Sequence, residues 1–235
     1  MDAATKAKLI DNAKDWFRDE LAKSHLDNVR KLANLKEFNV NPFLWKYLAN
    51  FLDGKSDYES LARALIIPRA MGTSISTSFG QRAQGFITRI FDGVLGSQID
   101  GMDIEFIDQL DGRKKYCQVK AGPNILNKDD VPQIKGKFIK AANLARTNHL
   151  DVKLGDYVFA LLYGEPEELS AFIKDIERDY TTLVGKDFWH HLTGDQSFYE
   201  TLTESIGQVA EEFDGRTVLE ETVHRLALDI EKQTK

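Results

Sequence analysis

The stretch GMDIEFIDQLDGRKKYCQVKAGPN, Gly101–Asn124, decides how this chain is read. Two short runs, Asp103–Ile107 and Lys115–Val119, have the character of strands and flank an Asp-Gly dipeptide, a hairpin turn signal. Residues two apart in a strand lie ~7 Å apart and point to the same face. Asp103 therefore shares a face with Glu105, and Gln118 shares one with Lys120. A hairpin that served only the core would carry Val or Leu at such positions. If the strands pair through the turn, the four polar groups converge at one end of a sheet. Burying them there without partners would cost several kcal/mol; satisfaction by local neighbours is the bland alternative.

Around the hairpin the signal is mostly helical. Apolar residues recur at three- and four-residue spacing from Ala4 to about Leu35, which predicts one long amphipathic helix. Asn41 with Pro42 predicts a second helix running to Gly54. A third spans Tyr58–Ile67 and stops before Pro68. MGTSISTS (Met71–Ser78) reads as a Ser/Thr-rich loop feeding a helix, with Ser78 and Gln81 forming a capping box. Beyond the hairpin, a helix starting near Asp129 or Asp130 carries Lys135, Lys137, Lys140 and Arg146. DYVFALLYG (Asp156–Gly164) is an apolar run suited to a strand buried on both faces. A helix over ELSAFIKDIERDY and two more between Phe198 and Lys235, separated near Asp214–Gly215, complete the chain. The order predicts an α/β fold, a central mixed sheet with helices on both sides.

The 235 residues are 42% hydrophobic and 29% charged, as in an ordinary globular protein. No apolar run approaches the ~20 residues of a membrane span, and the first thirty residues carry no signal-peptide pattern, so a cytoplasmic protein without membrane contact is expected. Cys117 is the sole cysteine, and the five histidines lack zinc-site spacing. Adjacent His190 and His191 point in different directions and do not suit joint chelation. Cys117 alternates with Gln118 and is expected on the hydrophobic side of the sheet. The net charge of −6 argues against a protein that coats nucleic acid non-specifically. Asp111–Arg146, however, holds nine Lys or Arg against three Asp, a local +6 in an otherwise acidic chain. Such a strip is either a polyanion site or a solvated helix face.

After Lys120 the residues AGPN are small, ending the strand and letting another molecule approach the backbone. With the basic helix behind it, the hairpin resembles the PD-(D/E)XK nuclease core: Asp103 takes the Asp place, Gln118 the Glu place and Lys120 the Lys place. The resemblance widens with IIPRAMGTSISTSFGQR (Ile66–Arg82) and VGKDFWHHLTGD (Val184–Asp195). In that order the segments resemble one group of type II restriction endonucleases, whose relatives cut short G/C-rich palindromes interrupted at the centre. The likeness runs over roughly Asn41 to Tyr199.

That resemblance implies a restriction-endonuclease-like core with helical N- and C-terminal additions. It divides the chain into a helical region for dimerisation or DNA clamping (1–68), a nuclease core (69–195) and C-terminal helices packed on it (196–235), as one continuous domain. It implies Mg²⁺ held by Asp103, Gln118 and the Val119 carbonyl, with Lys120 beside the attacking water. Gln118 departs from the family's carboxylate; Glu105 is the residue placed to compensate. Candidate DNA contacts are Thr73, Ser74, Ser76, Thr77, Ser78 and Arg82, then Asn124, Asn127, Lys128 and Lys135. Helix entry, turns and a solvated face are the respective alternatives. Double-stranded DNA, a second copy of the chain and a cognate DNA methyltransferase are the implied partners. Two other readings share these residues: a repair, junction-resolving or modification-dependent nuclease of the same superfamily, and a catalytically silent DNA-binding module.

Overall fold

The computed structural model describes residues 1–234. Helices α1 (Ala3–Trp16) and α2 (Lys23–Lys31) are linked by a widened π-helical turn, Phe17–Ala22, so the first helix is not the uniform run expected over 4–35. Helix α3 (Trp45–Asp53) starts three residues after Pro42. The Asn41 side chain accepts from the Phe43 N–H at 3.0 Å, holding residues 42–44 as a turn that leads in. Gly54 closes α3 in the left-handed region, φ 70°, where glycine is favoured. Asp57 caps α4 (Tyr58–Pro68) by accepting from the Ser60 N–H at 2.9 Å.

Pro68 does not stop the chain's helix, contrary to expectation. The backbone continues through a π-helical segment, Arg69–Ser74, into α5 (Ile75–Ile90). A proline ring clashes with the carbonyl one turn back and lacks an N–H, and the wider π ladder relieves both defects. MGTSISTS is therefore helical, not a loop. Ser78 lies inside α5, buried, and so is not at the helix start where a capping box would place it. The helical signal was the spacing of Ala83, Phe86, Ile87 and Ile90, all buried, which outweighs the loop preference of the Ser/Thr run.

The sheet follows: β1 (Leu95–Gly96), β2 (Ile104–Ile107) and β3 (Lys114–Lys120) pair antiparallel in that order. Helix α6 (Asp130–Thr147) crosses to β4 (Tyr157–Leu161), which is parallel to β3. Helix α7 (Ala171–Glu177) leads to β5 (Thr181–Val184), parallel to β4. The resulting five-stranded mixed sheet has the order β1-β2-β3-β4-β5. Every residue of β4 is buried, as its continuous apolar run predicts. Helices α8 (Lys186–Thr193), α9 (Phe198–Ala210) and α10 (Arg216–Thr234) complete the chain. This is the α/β, restriction-endonuclease-like arrangement with helical ends.

Two compact units form: residues 1–16 with 80–207, and residues 17–79 with 208–234. Helix α1 and most of α9 fall in the unit that holds the sheet. In the sheet unit, one face packs Tyr116, Phe159 and Leu161 against Ile134 and Phe138 of α6 and Ile173 of α7. Phe106, from the opposite face, meets Phe188 of α8 edge-on, and Phe86, Phe91 and Phe198 surround Trp189. The Trp189 Nε1–H donates to the Leu162 carbonyl at 2.9 Å, satisfying this buried indole within the aromatic core. In the helical unit, Val29, Ala49, Leu61, Ile66, Leu226 and Ile230 form a separate core.

Candidate active site

The site is built where β2 begins and β3 ends. The ladder sets Ile104 opposite Cys117 and Glu105 opposite Tyr116. Asp103 breaks that register: its N–H donates to the Cys117 carbonyl at 2.8 Å, so two residues of one strand face one of the other. This local bulge lets the Asp103 side chain take a ladder position, where Oδ2 accepts from the Val119 N–H at 2.7 Å. The Asp103 carbonyl in turn accepts from Gln84 Nε2 at 2.6 Å and from the Ser97 N–H at 3.2 Å. Asp103 is thus pinned on three sides. Strict alternation misses this, since a bulge has no signature in the hydrophobic pattern.

Gln118 and Lys120 share a face of β3, as expected. Gln118 is 1% exposed, and its Nε2 donates to the Ile134 carbonyl of α6 at 3.2 Å. A carbonyl only accepts, so the amide nitrogen faces it and Oε1 is left for another partner. Lys120 is half-buried at the strand end; its carbonyl accepts from the Leu162 N–H at 3.1 Å, and its ammonium forms no ion pair among the described residues. Cys117 is fully buried on the opposite face, and burial pushes its thiol well up.

Glu105 is otherwise engaged. Its Oε1 accepts from Ser97 Oγ at 2.7 Å and from the Gln98 N–H at 3.2 Å, and its Oε2 pairs with Lys114 at 2.5 Å. Burial works to raise this carboxyl; the Lys114 and Ser97 hydrogen bonds outweigh it and hold the group below its ordinary value. To serve a cation beside Asp103, Glu105 would have to exchange these contacts. The Lys114 pairing was not evident from the sequence, because long side chains on neighbouring strands reach each other in directions that spacing does not encode.

The loop after Lys120 is closely built. A Cβ at Gly122 would overlap the Tyr163 ring, so the space expected beside AGPN for another molecule is filled by Tyr163, itself half-exposed. Asn124 is exposed. Asn127 makes the turn into α6: its Oδ1 accepts from the Asp129 and Asp130 N–H groups at 2.8 and 3.2 Å, while Asp130 Oδ2 accepts from the Asn127 N–H at 2.8 Å. Lys128 is exposed, and Lys135 is bound by Asp179 at 2.6 Å and Asp175 at 3.3 Å. Lys137, in contrast, lays its aliphatic stem against Gly101, two residues from Asp103. In the helical unit, Thr73, Ser76 and Thr77 are exposed and Ser74 half-buried, all on helical backbone; Ser78 Oγ accepts from Asn28 Nδ2 at 3.4 Å. Arg82, on the sheet-unit part of α5, is half-buried.

The far end of the hairpin holds a different polar group. Buried Lys115 lies among Asp108, Asp111 and Asp156 at 3.8, 2.5 and 3.2 Å, and Arg113 adds a bond to Asp156 at 2.6 Å. His191 Nδ1 meets Asp108 Oδ2 at 2.8 Å, while the His190 ring stands 6.5 Å away. In this cluster each charged group has an oppositely charged or hydrogen-bonding neighbour.

Among the described residues, no three His, Cys, Asp or Glu side chains come together as a metal-binding group. The groups expected to hold an ion, the Asp103 carboxylate, the Gln118 amide oxygen and the Val119 carbonyl, would all offer oxygens. One carboxylate with neutral oxygens suits a hard divalent ion that keeps several waters and binds substrate phosphates.

No curated protein matches the chain. The family model for type II restriction endonuclease EcoO109I matches residues 10–214, which takes in the sheet, the bulged Asp103 and the strand end at Lys120. No helix among the described residues is long and apolar enough to cross a membrane. The chain belongs to the type II restriction endonuclease EcoO109I family, site-specific deoxyribonucleases that hydrolyse phosphodiester bonds in DNA.

Proposed function

We propose that this enzyme is a Mg²⁺-dependent nuclease of the PD-(D/E)XK type, cutting duplex DNA at a short G/C-rich palindrome interrupted at its centre. The observation that carries the reading is the placement of Asp103 and Lys120 about one peptide: the carboxylate holds the Val119 N–H, and Lys120 follows directly. Asp103, the Gln118 amide oxygen and the Val119 carbonyl would hold the ion. When bound, it polarises the phosphate and lowers the pKa of a coordinated water.

The remaining work falls to the chain itself. Asp103, fixed by its bulge, presents a charge that needs no reorganisation when the substrate arrives. The unpaired Lys120 ammonium donates to the attacking water or to the phosphoryl oxygen as negative charge builds there. Lys128 and Lys137 balance backbone phosphates beside the scissile group. Asn124 and Asn127 lie in the same loop within reach of DNA; Asn127 offers only the part of its carboxamide not spent on the turn. Lys135 adds positive potential damped by its two aspartates. Thr73, Ser74, Ser76, Thr77, Ser78 and Arg82 supply hydroxyl and guanidinium contacts to the duplex.

A palindrome has two-fold symmetry and each chain has one such site, so two copies act together. The host's own copies of the target are then protected by a cognate methyltransferase, and the enzyme works in the cytoplasm. The test is digestion of unmethylated plasmid and phage DNA with Mg²⁺, followed by sequencing of the ends. Discrete fragments sharing one interrupted palindrome support the reading; a smear of random ends, or cutting confined to modified or branched DNA, overturns it.

A further inference from the structure

Past the ends of β3 and β4 the two chains stay together and form a seat for one side chain. The Lys120 carbonyl accepts from the Leu162 N–H and the Ala121 carbonyl from the Tyr163 N–H, both at 3.1 Å. The tip of the Tyr163 ring then lies across Gly122, where a Cβ would stand only 2.6 Å from the hydroxyl oxygen. Gly164, the next residue, packs on Pro123: a Cβ there would stand 3.0 Å from two carbons of the proline ring. Gly185 lies against the Gly164 carbonyl oxygen, and its N–H donates to the Leu161 carbonyl at 2.9 Å. Glycines from three segments thus let backbone close around Tyr163 and leave its ring one place to lie.

We propose that Tyr163 contacts the substrate, its phenolic hydroxyl donating to a phosphate of the strand being cut, beside the phosphate that Lys120 attends. Position is the first argument. Gly122 follows Lys120 by two residues, ~7 Å of extended chain, and the hydroxyl rests on Gly122. The phenol and the ammonium therefore serve neighbouring points of one DNA backbone.

Availability is the second argument. Ala121, Gly122 and Pro123 are buried, yet Tyr163 is 47% exposed. Its hydroxyl has no hydrogen-bond partner among the described residues. A ring needed only to cover the loop would serve as well without that hydroxyl, whereas tyrosine is a regular donor to DNA phosphates. Rigidity is the third. A two-torsion side chain on a clamped backbone loses little freedom when a substrate is positioned against it. The inference rests on the nuclease reading for its scissile phosphate and goes beyond it in the residue, which the sequence places only within a buried apolar run.

Cleavage of unmethylated plasmid at subsaturating DNA with Mg²⁺, with DNA binding measured without metal, tests the assignment on the full chain. Tyr163→Phe keeps the ring on Gly122 and removes the hydroxyl alone, so its melting temperature should match the parent's. Its cleavage rate should fall by about 10-fold, the scale of one hydrogen bond to a charged group. On the duplex identified from the sequenced ends, one methylphosphonate flanking the scissile phosphate should slow the parent by a similar factor and Tyr163→Phe much less, because the two changes remove the same contact. A Tyr163→Phe protein that cuts as fast as the parent overturns the inference, as do methylphosphonates that slow both proteins equally at every flanking position; the parent's fragments would still uphold the nuclease reading. A parent that binds DNA without cutting it removes that reading, and the hydroxyl contact then stands only if Tyr163→Phe weakens the binding by about 10-fold.

Discussion

The side-chain amide of Gln118 donates to the backbone carbonyl of Ile134 across 3.2 Å, in a position only 1% exposed. This contact accounts for an amide where the resemblance leads one to expect a carboxylate. A glutamate there would set acceptor against acceptor in a nearly water-free position.

Gln118→Glu should therefore destabilise the protein by about 1–3 kcal/mol near neutral pH, the cost of an unsatisfied buried polar pair. The new carboxyl would have a folded pKa above its unfolded value of about 4.3. The variant's deficit should then narrow as pH falls below that value, where the protonated acid can donate to Ile134. Urea denaturation of parent and variant between pH 4 and 8 checks this. Equal stability at pH 7 would show that the amide bond does not govern the position.

Glu105 is predicted to be structural. Its carboxyl is held below the ordinary range mainly against the opposing effect of burial, by Lys114 and Ser97. Glu105→Gln should cost about 1–2 kcal/mol of stability, from the lost charge-assisted bonds. Cleavage by the folded variant should stay within a few-fold of the parent. A loss of cleavage with folding intact would make Glu105 a ligand in the reaction and refute this assignment.

The hairpin and its surroundings were legible in unequal measure. β4 was plain because five consecutive apolar residues buried on both faces leave one reading, and α6 was plain because Asn127 and Asp130 punctuate its start. β1 and β5 were not, since two and four residues carry too little pattern. The bulge at Asp103 was invisible, because one extra residue in a ladder changes hydrogen bonding without changing composition. Pro68 misled for a physical reason: its defect is absorbed by a π segment that local propensity does not foresee. The residue types at the site were readable, while their partners, Ile134, Lys114 and Tyr163, come from elements placed by tertiary packing.

Strong acid should weaken the far end of the hairpin. Burial opposes ionisation of Asp156, but Arg113, the Lys153 N–H and Lys115 prevail and hold its carboxyl at about 2. A carboxyl depressed from an unfolded value of about 3.9 contributes roughly 2 kcal/mol that is present above pH 4 and is lost as pH falls toward 2. Asp156→Asn should cost about 3 kcal/mol at pH 7, since Lys115 and Arg113 lose a partner. The variant should also show a flatter fall in stability between pH 4 and 2. An unchanged acid limb would mean that this cluster does not control acid unfolding.

Two glycines near the strand ends should respond differently to alanine. Gly185 has φ 48°, and a Cβ there would overlap the Gly164 backbone oxygen, which cannot swing away. Gly185→Ala should cost about 2–4 kcal/mol, several degrees in melting temperature. A Cβ at Gly122 meets only the ring of half-exposed Tyr163, and Gly122→Ala should cost about 1 kcal/mol as the ring turns outward. Equal costs by thermal melting would contradict the backbone clash.

The most direct test of the site is to compare parent and Lys120→Ala for Mg²⁺-dependent cleavage of unmethylated plasmid, with DNA binding measured alongside. The account predicts that the variant binds DNA within a few-fold of the parent and cuts at least about 100-fold more slowly, the scale of losing a group that acts on the attacking water or the developing charge. A Lys120→Ala protein that gives the parental bands at the parental rate would contradict it.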